Sequence, residues 1–92
     1  MKAKARHIAY YYSVLQGPKR VSYRRSTNAR RFGQLLASLN FHELRNNGCQ
    51  VYLKVDYGIM DSDFGRERFT NEGKYTNRHD LKQAWLAFKE AT

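Results

Sequence analysis

The chain has 92 residues, of which 41% are hydrophobic and 14% aromatic, so it can form one small domain with a thin core but not two. Its net charge is +9, and every Asp and Glu lies beyond residue 42, so the excess positive charge belongs to the first half. This asymmetry favours a polyanionic partner, either nucleic acid, a membrane surface or an acidic protein face. General basicity for solubility is the alternative explanation.

Targeting and membrane insertion receive little support from the sequence. No apolar run approaches the about 20 residues of a membrane span, and residues 1–6, a basic stretch, are not followed by the apolar core of a signal peptide. Cys49 is the only cysteine, so no internal disulfide can form, which is typical of a reducing compartment. We therefore expect a cytoplasmic protein whose residues 1–92 form a single domain, with residues 1–6 as a basic N-terminal arm.

The first half predicts a β-hairpin followed by a helix. Alternating residues predict a strand from His7 to Gln16, and a very short turn leads into an antiparallel strand from Arg20 to Arg25. Three consecutive candidate N-caps end at Asn28, and apolar residues at helical spacing predict a helix from Ala29 to Leu39. Residues 41–44 suggest a short continuation or a second turn on the same core.

The second half repeats this plan. The cleanest alternation predicts a strand from Gln50 to Tyr57, and a turn leads to a return strand from Arg66 to Thr70, with a possible extension to Tyr75. Asn77 is expected to cap a final helix, with Asp80 in a shortened capping box. The apolar stripe of that helix comprises Leu81, Ala84, Trp85 and Phe88.

This order, ββαββα, predicts an α+β fold. Its simplest form is a two-layer sandwich in which an antiparallel sheet of about four strands carries two helices on one face. The other face of the sheet would then be open to a partner, or covered by the loop after Phe41.

A basic segment from Lys19 to Arg31 is the main candidate site, since it has six Lys and Arg residues and no acid. Arg30 and Arg31 fall in the first turn of the predicted helix, where cations oppose the helix dipole and folding alone favours acids. The N–H groups there suit a phosphate, and arginine favours bidentate contacts with phosphate or carboxylate. A solvated charged face is the alternative. The candidate contacts in this segment are Lys19, Arg20, Arg24, Arg25, Asn28, Arg30 and Arg31.

Tyrosines add a second element to this site. Tyr10, Tyr11 and Tyr12 are consecutive, so at least one faces away from the core of a strand, and we include Tyr12 among the partner-binding residues. Aromatic rings interleaved with arginines are typical of surfaces that stack single-stranded bases, whereas core packing against a helix is the alternative role. In the second strand, we expect Val21 and Tyr23 to face the core, and Arg20 and Arg24 to share the opposite, outward face.

Catalysis and metal binding lack a motif. The cysteine and the three histidines are scattered without paired-ligand spacing, and the sequence contains neither a nucleophile elbow nor a glycine-rich phosphate loop. We expect a non-enzymatic protein with no metal, cofactor or small-molecule substrate, and no membrane partner.

Two resemblances to phage proteins bear on the partner. The segment from Val51 to Ala91, with the sequence Gly73-Lys74-Tyr75-Thr76 before the Asn77 cap, resembles the N-terminal arm-type DNA-binding domain of phage integrases. That resemblance implies direct binding to DNA by the sheet.

The whole chain, by its size, its compactness and its lack of catalytic residues, resembles phage anti-CRISPR proteins that inhibit the type I-F surveillance complex. This resemblance implies a stoichiometric inhibitor in the host cytosol, which docks on a protein–RNA complex through an Arg-rich face and blocks binding of target DNA. A protein that acts directly on DNA or RNA is the alternative function.

Overall fold

The computed structural model describes residues 8–90, so the predicted N-terminal arm and His7 lie outside the described residues. Four strands and three helices follow in chain order: β1 Ala9–Gln16, β2 Lys19–Ser26, α1 Ala29–Ala37, α2 Phe41–Asn46, β3 Cys49–Ser62, β4 Gly65–Tyr75 and α3 Arg78–Glu90.

The strands form one antiparallel sheet in the order β2-β1-β3-β4, which confirms the predicted α+β architecture. The additional helix, α2, corresponds to the second turn that residues 41–44 suggested in the sequence. It is capped by Asn40, whose side-chain oxygen accepts the N–H of Glu43 at 3.2 Å. Asn40 is therefore the N-cap of a separate helix, and α1 ends at Ala37, before the predicted end at Leu39.

All three helices pack their apolar residues on the same face of the sheet. Phe32 of α1 and Trp85 of α3 meet there, with ring centroids 5.2 Å apart. The central strands supply the opposing surface through alternate residues, because only every second side chain of a strand points to a given face. These buried strand residues are Tyr10, Tyr12, Val14, Val51, Leu53 and Val55.

Asn77 caps α3 as the sequence predicts, and Arg78 adds contacts that the sequence did not predict. The side-chain oxygen of Asn77 accepts the N–H of Asp80 at 2.8 Å, and the amide of Asn77 donates to the Asp80 carboxylate at 2.8 Å. Arg78, which follows this cap, donates to the carbonyls of Ala37 and Leu39 at 2.9 and 2.6 Å. It thereby satisfies the last carbonyl of α1 and one in the segment that follows, and so joins α3 to the end of α1.

The hairpin of β3 and β4 is longer than predicted. β1 pairs with β3 only as far as Asp56, so residues 57–70 continue as a two-stranded extension, which we call the arm. At its turn Phe64 is 91% exposed. The predicted extension of the return strand to Tyr75 is confirmed.

Among residues 8–90, no helix has the length and apolar character needed to cross a lipid bilayer.

Candidate functional site

The face of the sheet away from the helices, here called the open face, is lined by tyrosines and cations. Tyr11 of β1 points there because its neighbours Tyr10 and Tyr12 are buried among the helices. In register, Tyr11 lies opposite Arg25 of β2 and opposite Lys54 of β3. Residues that face one another across paired strands share a face, so the open face runs continuously over these strands.

The assignment of Tyr12 as a partner-binding residue is wrong. Its side chain is only 5% exposed, and its ring packs 5.9 Å from that of Phe32. The triplet does direct one tyrosine away from the core, as alternation requires, and that residue is the half-buried Tyr11.

A β-bulge changes which residues of β2 share a face. Val14 pairs with Ser22, but the next residue, Leu15, pairs with Arg20, so Val21 is the extra residue of the bulge. Arg24 pairs with buried Tyr12 and therefore faces the helical side at the edge of the sheet. The expectation that Arg20 and Arg24 share a face is wrong, because it assumed a strand without an inserted residue.

The expected burial of Val21 and Tyr23 is also wrong, since they are 53% and 40% exposed. Tyr23 pairs with Ser13, a neighbour of Tyr12 on β1, and so it lies on the open face. β2 is an edge strand, and its side chains are exposed or half-buried along its whole length.

Four side chains form a row across β1 and β2, which we call the tyrosine–arginine row: Arg20, Tyr23, Tyr11 and Arg25. The guanidinium carbon of Arg20 lies 4.8 Å from the Tyr23 ring centroid, and that of Arg25 lies 5.6 Å from the Tyr11 centroid. The two rings are 6.3 Å apart, and Arg25 donates to the Tyr11 hydroxyl at 3.3 Å. Cation–π and hydrogen-bond contacts therefore hold one exposed ring, Tyr23, and one half-buried ring, Tyr11, next to exposed positive charges.

β3 and β4 extend this surface. Tyr52 pairs with Ser13 on one side and with Lys74 on the other, and Lys54 pairs with Glu72. The Tyr52 hydroxyl donates to the Glu72 carboxylate. Burial, with a further contribution from this hydrogen bond, raises the pKa of Tyr52 to about 12, so the hydroxyl is neutral near pH 7. The Glu72 carboxylate thus already accepts a hydrogen bond from a tyrosine.

The basic segment of the sequence is divided by the fold into separate places. Lys19 is exposed at the start of β2, where it pairs with Gln16. Arg30 and Arg31 are exposed in the first turn of α1, within the helical layer. Of the predicted contacts, Arg20 and Arg25 both lie on the open face, whereas Arg24, Arg30 and Arg31 lie away from it.

Asn28 has a structural role at the start of α1. Its side-chain oxygen accepts the N–H of Arg31 at 2.9 Å, and its own N–H donates to the Ser26 hydroxyl at 3.1 Å. The N–H groups at this helix start were predicted to bind a phosphate, but the Arg31 N–H is already bonded to the Asn28 cap.

In residues 8–90, no three side chains of His, Cys, Asp or Glu lie close enough together to hold a metal ion. Cys49 is buried, and its thiol donates to the Asn47 carbonyl at 3.7 Å.

Comparison of the chain with family models, curated proteins and solved structures gave no match.

Sequence reasoning missed Tyr11, Tyr52, Lys54 and Lys74 as members of this surface. The alternation of β3, with Val51 and Leu53 inward, already directs Tyr52 and Lys54 outward, so the signal was present. The contribution of Lys74 depends on the register of β4 against β3, which the alternation of a single strand does not specify.

Proposed function

We propose that this protein is a non-catalytic binder of single-stranded nucleic acid, and that the strand lies across the open face of the sheet. The observation that supports this most strongly is the tyrosine–arginine row. Bases stack on exposed aromatic rings whatever their sequence, and guanidinium groups beside the rings neutralise the phosphates that link those bases.

The charge of the open face supports the same partner. Four cations lie there, namely Arg20, Arg25, Lys54 and Lys74. Two acids share the face, but Glu72 accepts a hydrogen bond from Tyr52, and Asp56 forms an ion pair of 2.6 Å with Arg68. A phosphate chain therefore meets a surface that is positive on balance, in a molecule of net charge +9.

The test is fluorescence anisotropy with labelled single-stranded RNA and DNA of about ten nucleotides, a length within the usual range for one small domain. Single strands should bind more tightly than the duplex of the same sequence, because stacking needs unpaired bases. Affinity should fall with salt, with a log–log slope of up to about 3, since each phosphate neutralised on a single strand contributes about 0.7.

Absence of saturable binding to both single-stranded RNA and DNA at low salt contradicts this function. If the protein instead binds an assembled CRISPR–Cas surveillance complex tightly while ignoring free strands, the function is that of the inhibitors resembled by the sequence. A preference for duplex DNA over single strands supports a role like that of the integrase arm-binding domain. Comparison of RNA with DNA of equal length identifies which single strand is preferred.

A further inference from the structure

A groove opens where the arm leaves the sheet. A bulge in β3 between Asp56 and Gly58 marks this point, and bulges bend the strand that carries them. The Asp56 carboxylate fixes the bend, since one oxygen accepts the Gly58 N–H at 2.8 Å and the other accepts from Arg68 at 2.6 Å. Asp56 thus ties the backbone of β3 to a side chain of β4 at the base of the arm.

The groove has a volume of about 940 Å³. That volume is at the upper end of the about 300–1,000 Å³ typical of small-ligand sites. Its lining combines apolar and aromatic side chains with three guanidinium groups from the sheet and the arm, and with the carboxylates of Asp56 and Asp61, which pair with two of those arginines. The residues most relevant to a ligand are Ile8, Tyr11, Arg25, Met60, Arg66 and Arg68.

The groove continues directly from the tyrosine–arginine row, because Tyr11 and Arg25 belong to both. A strand that stacks on the row and extends past Tyr11 therefore reaches the groove next.

The two arginines that the arm contributes to the groove differ in how strongly each is held by a carboxylate. Arg68 holds Asp56, which is largely buried, so its ion pair is part of the framework. Arg66 is 3.9 Å from Asp61, and these two side chains are 77% and 83% exposed. An exposed ion pair of that length contributes little to stability, so a phosphate can replace Asp61 as the partner of the Arg66 guanidinium at small cost in free energy.

We propose that this groove binds one further nucleotide of the strand held on the open face. Its phosphate contacts Arg66 and Arg25, and its base packs against the apolar wall that includes Ile8 and Met60. The inference rests on the proposed function, because the row delivers the strand to the groove.

The test compares Arg66→Ala with the unmodified protein on single-stranded oligonucleotides of increasing length, from a dinucleotide upward. The unmodified protein should gain affinity as the strand becomes long enough to enter the groove. Arg66→Ala should lose that gain, with affinity for longer strands lowered about fivefold and the salt slope lowered by about 0.7, while dinucleotide affinity stays unchanged. Arg66→Lys should recover most of the salt slope.

Lys82→Ala is the matched control, because it removes one exposed cation from α3, in the helical layer. It should leave the length dependence intact. If Arg66→Ala and Lys82→Ala both match the unmodified protein at every length, the groove inference is overturned while binding on the open face stands. If the unmodified protein binds no strand of any length, the proposed function fails, and this inference fails with it.

Discussion

Replacing Tyr11 and Tyr23 together with alanine should lower affinity for single-stranded nucleic acid by about 30-fold or more. Each base–aromatic stack contributes about 1–3 kcal/mol, so the loss of two stacks removes at least about 2 kcal/mol of binding free energy. The two rings lie 6.3 Å apart on the open face and make no part of the buried core. Anisotropy titrations at fixed salt measure the effect.

The control for this prediction keeps the rings and removes the hydroxyls, by Tyr11→Phe with Tyr23→Phe. This variant loses the hydrogen bond from Arg25 to Tyr11 but retains both π faces, so its affinity should stay within about threefold of the unmodified protein. Equal losses in the phenylalanine and alanine variants would contradict a stacking role. Thermal melting should show that both variants remain folded, because cross-strand pairs contribute only about 0.2–1 kcal/mol each.

Among the variants considered, Phe32→Ala should cause the largest loss of stability, lowering the free energy of unfolding by about 3–5 kcal/mol. The Phe32 side chain is fully buried, at 0% exposure, and its ring lies 5.6 Å from Tyr10 and 5.2 Å from Trp85. Removing it leaves a cavity between α1, α3 and the sheet that neighbouring rings fill only in part. Domains of this size have about 5–15 kcal/mol in total, so much of the stability would be lost.

Phe64→Ala is the same chemical change at a residue that is 91% exposed at the turn of the arm. It should alter the free energy of unfolding by no more than about 0.5 kcal/mol. Urea denaturation of both variants makes the comparison, and similar losses at the two positions would show that Phe32 does not hold the layers together as described.

The element order could be predicted because each signal is local. Alternation in β1 and β3, helical spacing in α1 and α3, and the Asn77–Asp80 cap each depend on residues close in sequence, and the structure contains all of them. The end of α1 was predicted at Leu39 but lies at Ala37, because Asn40 caps a separate helix that begins at Phe41. Helix ends vary by one or two residues for such local reasons.

The composition of the site was predicted less well, and one backbone feature explains much of the error. A bulge at Val21 shifts the pairing of β2, so Arg20 and Arg24 lie on opposite faces although they are an even number of residues apart. The prediction grouped Arg20, Arg25, Arg30 and Arg31 into one site because they are close together in the sequence. The fold separates these residues. Arg20 and Arg25 lie on the open face of the sheet, whereas Arg30 and Arg31 belong to α1, which packs on the opposite face.

The central claim is that the partner lies on the open face rather than along the whole basic segment. Two charge-matched variants test it most directly: Arg20→Ala with Arg25→Ala on the open face, and Arg30→Ala with Arg31→Ala in the helical layer. Both remove two exposed arginines from the same stretch of sequence. Their single-strand affinities should be measured side by side at about 0.15 M salt, where charges beyond about 8 Å are largely screened.

We predict that the open-face pair lowers affinity at least about tenfold and reduces the salt slope by about 1.4, the value for two phosphate contacts on a single strand. The helical-layer pair should change affinity less than about threefold. An equal or larger loss in the helical-layer pair would contradict binding on the open face.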